Sequence, residues 1–504
     1  MTDFPSQADV IIVGSGPTGA AYARILSEEA PYARVLMFEA GPRLAGPLGG
    51  HVKNIIDADA RHTAQQMSQG PGKVSDRTFS APAGEVRARP GTFLLGEGSM
   101  LPGEDGLPAA AMSANVGGMG AHWTCACPRP GDSERIDFLA DLDDLLEDGE
   151  RLLGVSQDPF PDAPFSSEVR RRLGNALDDD RVPGRQVQPM PLAVSTMEGR
   201  SRWSGSEVVF GDVTSANPNF TMVSEAAVTE VIREHGRVSG VRVRVGGSGT
   251  ARTVAARYVV VAADSLRTPQ LLWASGVRPQ ALGRFLNDQA QIVFAVRLRD
   301  APAELRGAAS AVPDDGSVAA QTGVSWVPFT DEHPFHGQVM QLDASPVQLA
   351  GGEPEPGSIV GLGWFCAKDI NEFDRVEFSE TEVDGYGLPK MRIHYRLTNV
   401  DLQRIEEAKR AVREAAESLG DAIGDEPVLL PLGSSLHYQG SVRMGERNDG
   451  RSVCDPDSQV WDVNGLYVAG NGVIPTATAC NPTLTSVALA VRGARHIAAR
   501  VSRV

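Results

Sequence analysis

The chain has 504 residues, 41% apolar and 22% charged; the length suits about three domains, or two large interleaved ones, and the composition excludes collagen-like, coiled-coil and wholly disordered chains. Lys and Arg number 47 against 64 Asp and Glu, a formal charge of −17; that field argues against nucleic acid or an anionic membrane as partner and suits a neutral or cationic small molecule.

The opening residues, Met1 to Gln7, carry no basic leader, and no apolar run approaches the about 20 residues of a membrane span. The expectation is a cytoplasmic chain with no membrane partner. The cysteines, Cys125, Cys127, Cys366, Cys454 and Cys480, are odd in number and lack the paired spacing of a zinc ribbon, so they read as reduced thiols with no metal site.

Ala8 to Val13 forms a β-branched run bounded by glycine, the pattern of a strand buried on both faces of a parallel sheet. Gly14-Ser15-Gly16-Pro17-Thr18-Gly19 follows at once. A helical pattern then runs from Ala20 to Glu29 and is ended by Pro31. A second strand, Arg34 to Phe38, stops at Glu39, twenty residues beyond Gly19. Strand, glycine turn, helix, strand and acid stand here at dinucleotide-binding spacing. Gly14 permits the tight turn, Gly16 lets a pyrophosphate approach the backbone, and Gly19 lets helix and strand pack closely. The helix N-terminus stabilises phosphate charge, and Glu39 is placed to accept hydrogen bonds from an adenosine ribose. The motif alone serves FAD or NAD.

Residues 41–110 are rich in Gly, Pro and Arg with little periodicity, and within them 61–99 reads as an insertion that wanders over the surface and serves as a lid. Residues 219–262 alternate in a β pattern, predicting a three-stranded meander over Thr221–Val223, Ala227–Val231 and Val241–Val245 that leads back into a buried strand, Tyr258–Ala262. Gln291–Arg297, Gln338–Asp343, Ile359–Phe365 and Lys390–Tyr395 predict a separate sheet. Val400–Ser418 predicts an amphipathic helix with Leu402, Ile405, Ala408, Val412 and Ala415 as its apolar stripe.

The segment from Leu436 onward is the richest in chemistry. It contains His437 within Leu-His-Tyr-Gln-Gly-Ser, then Leu466-Tyr467-Val468-Ala469-Gly470-Asn471-Gly472, then Asn481-Pro482-Thr483 and an Ala-rich helix. Asn481 reads as the helix N-cap with Pro482 at the first helical position. The positive end of that helix would face a cofactor and suits a reduced flavin, whose ring carries negative charge.

With the N-terminal glycine motif, Gly117-Gly118-Met119-Gly120 and the closing Asn-Pro-Thr helix, the chain resembles the glucose-methanol-choline (GMC) oxidoreductases, which are FAD enzymes. Gly118-Met119-Gly120-Ala121-His122-Trp123-Thr124-Cys125 and the pair His437 and Asn481 are similar to pyranose oxidases and the related bacterial glycoside 3-oxidases. The resemblance implies an α/β fold. It comprises a Rossmann-like FAD-binding domain, as in p-hydroxybenzoate hydroxylase, made of residues 1–60, 100–290 and 430–504. A second α+β substrate-binding domain, built on an antiparallel sheet, would span 291–429.

It also implies the site. His437, as neutral imidazole, would take the proton of a sugar hydroxyl while hydride from the same carbon passes to the flavin, and Asn481 would hold the substrate oxygen. Beside the N-terminal motif, with Thr18, the cofactor contacts implied are Gly117 and Gly118, His122 and Thr124 lining the isoalloxazine, Val228 at the adenine, Asn471 and Gly472 at the ribityl or pyrophosphate, and Thr483 at the closing helix. In fungal pyranose oxidases the corresponding histidine carries the flavin covalently and a threonine precedes it; here Ala121 precedes His122, which predicts non-covalent FAD. The implied activity is oxidation of a secondary ring hydroxyl of a pyranose or glycoside, at position 3 in preference to position 2, with dioxygen or a quinone as acceptor. A lyase on the same fold with structural FAD is the alternative from another class.

Overall fold

The computed structural model describes residues 4–70, 78–81, 84–161, 163, 165–197, 200–246, 251–300, 323–342 and 358–501. One sheet contains β1 (Gln7–Val13), β2 (Val35–Phe38), β3 (Phe220–Val223), β4 (Ala226–Glu234), β5 (Arg237–Val245) and β6 (Ala251–Val261), in the spatial order β3-β2-β1-β6-β5-β4. From β3 through β6 the neighbours are parallel, and Leu466–Val468 runs parallel beside the end of β6. Val10 to Phe38 explains itself locally: β2 is buried throughout and β1 from Val10 onward, as a strand covered on both faces requires.

Glycines set the turn after β1. Gly14 has φ +102°, and a Cβ there would stand 2.2 Å from the Ala262 carbonyl oxygen. The next helix, α1 (Pro17–Glu29), starts with proline in its first turn. A Cβ at Gly19 would lie 2.1 Å from the Gly14 carbonyl oxygen, so only glycine lets α1 sit this close to the strand.

The predicted meander is shifted by one strand. Phe220–Val223 pairs in parallel with β2, at the sheet edge, while the antiparallel run is β4, β5 and β6. The cause is local: Glu225 at φ +54° turns the chain, and Glu39 is gripped from both sides, its N–H donating to Val223 O and its carbonyl accepting from Ala226 N. The helix α2 (Asp264–Ala274) follows β6 directly.

A second, antiparallel sheet is built on β7 (Ala290–Leu298), β8 (Gly323–Val327), β9 (Phe335–Leu342) and β10 (Ile359–Cys366), in the order β7-β10-β9-β8 with short edge pairings outside them. The helix α3 (Asn399–Leu419) crosses β7 and β10, burying Ile405, Ala408, Val412, Ala415 and Leu419. Leu402, predicted in that stripe, is 49% exposed; it lies in the first turn, before the helix reaches the sheet. Lys390–Tyr395 does not join this sheet either. Pro389–His394 pairs with Arg375–Val383 as a two-stranded ribbon, because Met391 and Ile393 bury one face against Leu286 and Tyr438 while Lys390 and Arg392 face ion partners on the other. Asp343, at the end of a predicted strand, lies outside the described residues.

The predicted insertion has regular structure: a helix, Ala58–Met67, and a hairpin of Thr78–Ala81 with Gly84–Arg87. Residues 71–77 and 82–83 of it lie outside the described residues. The last helix is α4 (Thr483–Val501), packed on α1 so closely that a Cβ at Gly493 would meet the Tyr22 hydroxyl at 2.0 Å. Among the described residues no helix is long and apolar enough to cross a membrane and no His, Cys, Asp and Glu group could hold a metal. All five cysteines are buried and unpaired.

One buried ion cluster ties α3 to the ribbon. Lys368 Nζ lies 2.5 Å from Asp374 and 3.8 Å from Asp401, all of them nearly inaccessible, and Asp401 also completes the capping box at the start of α3. Lys368→Met would leave two buried carboxylates without their cation. We expect a loss of about 3–5 kcal/mol, read from urea unfolding monitored by tryptophan fluorescence.

Candidate active site

A cavity runs from Glu39 and Val228 at one end to His437 and Asn481 at the other. Its wall includes Gly14, Gly16, Thr18, Gly118, His122, Thr124, Asn471 and Thr483. Three residues expected at the cofactor stand behind that wall. Gly19 packs α1 on β1, Gly117 carries the turn at φ +99°, and Gly472 is pressed against Val442 and Ser441. Their lack of a side chain serves close packing.

At the first end, Glu39 is 7% exposed and doubly anchored. One oxygen accepts from Ser15 N at 3.1 Å and Ser15 Oγ at 2.6 Å, the other from Gly41 N at 2.9 Å. Burial raises the Glu39 carboxyl above its usual range, and these bonds oppose the shift. Ser15 Oγ also accepts from Gly117 N at 2.9 Å, so the glycine turn, the acid and the 117–120 turn form one unit. Gly16 leaves the wall open, since a Cβ there would find nothing nearer than Gly117 O at 4.0 Å. The open cradle at Gly16, a buried carboxylate and the N-terminal ends of α1 and α4 on one cavity fit a dinucleotide with its phosphates at α1.

His122 is oriented by Asn115. The Asn115 amide donates to Val116 O and Gly118 O, which leaves its Oδ1 to accept from His122 Nε2 at 3.3 Å. Burial pushes the His122 imidazole down to about 4, so it is neutral.

At the other end, Leu436 at φ +61° presents His437 to the cavity. His437 N donates to Ser435 Oγ, whose hydroxyl donates to Asp288, and the ring lies against Phe365 of β10 with centroids 5.3 Å apart. Its Nδ1 is 2.7 Å from Gln289 Oε1. Gln289 Nε2 donates to Thr478 O and Cys480 O, each at 2.9 Å, so Oε1 can only accept. His437 therefore carries its proton on Nδ1 and offers the Nε2 lone pair, 3.2 Å from Asn481 Nδ2. Burial, reinforced by the Arg89 charge, lowers the His437 imidazole to about 3. The result is a neutral base beside an amide donor, an arrangement that can take a proton from a hydroxyl while fixing its oxygen.

Asn481 is not the helix cap. The α4 helix begins at Thr483 with Ser486 N bonded to Pro482 O, and the Asn481 side chain turns to His437 and to Gln338 of β9, whose Nε2 donates to its Oδ1 at 2.6 Å. Pro482 cannot donate an N–H and takes the cap position, freeing the asparagine amide. Sequence reading missed Ser15, Asn115, Glu134, Gln289 and Gln338. Ser15 lies inside the glycine motif and Asn115 seven residues before His122, both within local range, whereas Glu134, Gln289 and Gln338 reach the site across more than 140 residues and leave no local signal.

Two profiles of the family described as GMC oxidoreductase match residues 140–291 and 375–490. The chain is 60% identical to a C-glycoside 3-oxidase of Arthrobacter globiformis, covering 98% of this chain and 96% of that one. It is 32% identical to a pyranose 2-oxidase of Tricholoma matsutake, covering 97% and 93%. Among solved structures, an Aspergillus oryzae formate oxidase superposes with a TM-score of 0.71 at 16% identity over 99% of both chains.

Glu39→Ala removes the acceptor of the Ser15 and Gly41 bonds together with the acid facing the cavity. Dinucleotide retention on gel filtration should fall by about tenfold or more, the scale of one charge-assisted hydrogen bond. Unchanged retention would place the ribose contact elsewhere.

Proposed function

The chain belongs to the GMC oxidoreductase family and is an FAD-dependent oxidoreductase of CH–OH donors; from that premise we propose that it oxidises the position-3 hydroxyl of a glycoside to the ketone, with dioxygen as acceptor. The observation that carries this reading is the fixed pair: His437 Nε2 unprotonated and Asn481 Nδ2 beside it at 3.2 Å, both on the cavity wall. Position 3 is preferred to position 2 because the likeness to C-glycoside 3-oxidase, at 60%, far exceeds that to pyranose 2-oxidase, at 32%.

Glu39 and Val228 would hold the adenosine end of FAD, the turns at Gly14–Thr18 and Gly118 its pyrophosphate, and His122, Thr124, Asn471 and Thr483 the remainder. Bound FAD supplies an acceptor for a hydride. His437 Nε2 takes the hydroxyl proton as the C–O bond becomes C=O, and Asn481 Nδ2 donates to that oxygen, which keeps the hydroxyl aimed at the base. We assign the first sheet and α4 to the cofactor and the β7–β10 sheet, which supplies Phe365 and Gln338, to the substrate. His122 supports non-covalent FAD, since its Nε2 is bonded to Asn115 and its Nδ1 is packed against Gly91. The buried free thiols fit a reducing compartment, and the cytoplasm is the proposed location.

Anaerobic titration with an aryl glucoside should bleach the flavin absorbance, yield the 3-ketone, and leave FAD in the supernatant after acid precipitation. Absence of bleaching with any glycoside would overturn the substrate class. His437→Ala should keep the protein yellow and slow flavin reduction by at least about 10²-fold. Protonation of His437 removes the base, and burial holds it below the ordinary imidazole value. The rate of reduction in stopped flow should therefore be level above pH 6.5 and decline only on the acid side.

A further inference from the structure

Behind the proposed catalytic pair, on the β8–β9 edge of the antiparallel sheet, three buried polar side chains continue the hydrogen-bond chain. Trp326 Nε1 donates to His336 Nδ1 at 2.8 Å; His336 Nε2 and Gln338 Nε2 stand 3.2 Å apart; Gln338 Nε2 lies 2.6 Å from Asn481 Oδ1; and Asn481 Nδ2 lies 3.2 Å from His437 Nε2. Trp326, His336 and Gln338 do not line the cavity, and no substrate contact accounts for them.

Both ends of this chain have a fixed polarity. An indole N–H only donates, so His336 Nδ1 accepts and the one proton of the neutral ring sits on Nε2. Burial, reinforced by the neighbouring His437, drives the His336 imidazole down to about 3 against an opposing hydrogen bond with the Asn481 side chain, so the ring is neutral. At the far end the Thr478 and Cys480 carbonyls fix Gln289 Oε1 as an acceptor and His437 Nδ1 as a donor. Between these ends only the two amides can turn over, and amide orientation follows from the network.

With His437 neutral, its Nε2 accepts from Asn481 Nδ2, Asn481 Oδ1 accepts from Gln338 Nε2, and Gln338 Nε2 then faces the His336 Nε2–H. Two donors then face each other at 3.2 Å, and the His336 Nε2–H is left to share the Asn481 oxygen that Gln338 already takes. With a proton on His437 Nε2 and both amides turned, every contact is a bond. His437 Nε2–H donates to Asn481 Oδ1, Asn481 Nδ2–H donates to Gln338 Oε1, and His336 Nε2–H donates to the same oxygen. The extra proton relieves the crowding of two donors at the Asn481 oxygen and leaves each contact along the chain as a donor facing an acceptor.

We propose that Trp326, His336 and Gln338 form a relay that retains on His437 the proton taken from the substrate hydroxyl, by turning over the Gln338 and Asn481 amides once the ketone has left. The inference rests on the function proposed above. One C–H hydride reduces the cofactor, the O–H bond breaks with its proton passing to His437 Nε2, and the C=O bond forms; the relay then decides whether that proton stays or escapes to solvent. Gln338, His336 and Trp326 are positioning residues, acting through Asn481 and His437. The ionisable groups facing His437 are His336 from β9, Arg89 from the segment before residue 91, and Asp288 through Ser435. Arg89 disfavours the added proton, and the relay opposes it.

The test is proton release during anaerobic reduction by one equivalent of aryl glucoside, followed with a pH indicator dye from pH 5.5 to 8.5. In Trp326→Phe the His336 ring is free to take its other tautomer, and in Gln338→Leu the chain is cut. Both should move the midpoint of proton release down by about one pH unit, the tenfold effect of one unmade buried bond. Gln338→Glu keeps an acceptor towards both His336 and Asn481 and should release its proton at or above the wild-type midpoint. A common midpoint in all four proteins, each still bleached by the glycoside, would overturn the relay while leaving the proposed function intact. Failure of the wild type to bleach would overturn both. A variant that loses flavin absorbance is replaced in the comparison by Trp326→Tyr, which also lacks the indole N–H.

Discussion

The geometry of the reacting end depends on a buried carboxylate far from it in sequence. Glu134 accepts hydrogen bonds from Ala479 N at 2.8 Å and Cys480 N at 2.9 Å with one oxygen, and from Gly131 N at 2.9 Å with the other. The Thr476 hydroxyl adds a bond to its carbonyl. With those N–H groups held on one side, the Thr478 and Cys480 carbonyls face the other, where they meet the Gln289 amide. The tautomer of His437 and the position of Asn481 both descend from this loop. Burial raises the Glu134 carboxyl, and its three backbone donors work against that shift. A buried anion is tolerated where its oxygens are bonded throughout.

The dinucleotide end uses the same device. Glu39 is a second buried carboxylate whose partners are backbone N–H groups and a serine hydroxyl, and through Ser15 it fixes the glycine turn to Gly117. Each end of the cavity is thus held by a carboxylate bonded to backbone, with no lysine or arginine pairing it among the bonds described. The two ends are then joined where the chain passes between the sheets: Asn287 and Gln439 exchange backbone hydrogen bonds at 2.9 Å. That crossing puts Gln289, at the start of β7, beside His437. The base and the residue that sets its tautomer therefore come from opposite strands of one junction.

Legibility in the sequence followed the range of the interactions. The β1–α1–β2 unit was readable because every requirement there is local: Gly14 for its positive φ, Gly19 for its contact with Gly14, Glu39 at the strand end. His437 and Asn481 were legible only through the family resemblance, since a histidine in a loop and an asparagine before a proline carry no chemistry by spacing. The mistakes were of one kind. Local pattern makes Asn481 a cap and places Thr221–Val223 in the meander and Lys390–Tyr395 in the sheet, and in each case a distant partner overrides it. Gln338 drew the asparagine away, Glu39 took β3 and β4 on its two sides, and the Leu286–Tyr438 cluster drew the ribbon off the sheet. Glu134, acting on residues some 345 positions away, left no trace that a single sequence could show.

The site has to satisfy two opposed demands. A base must be neutral before reaction, and burial against Phe365 and the Arg89 charge secure that by lowering its affinity for a proton. The same burial makes the imidazolium that the proposed reaction would form costly, because a charge in a dry site is stable only when its donors are matched. Gln289 matches Nδ1 in both states, since its oxygen accepts whether or not the ring is charged. Nε2 is different: it needs a donor before reaction and an acceptor afterwards. A side-chain amide is a neutral group that offers both from a single position by turning over, and in the proposed relay Asn481 takes that part. For the proposed turning to leave its second contact bonded, that partner must turn as well, and the residue there is itself an amide, Gln338, with the histidine beyond it held in one tautomer by an indole.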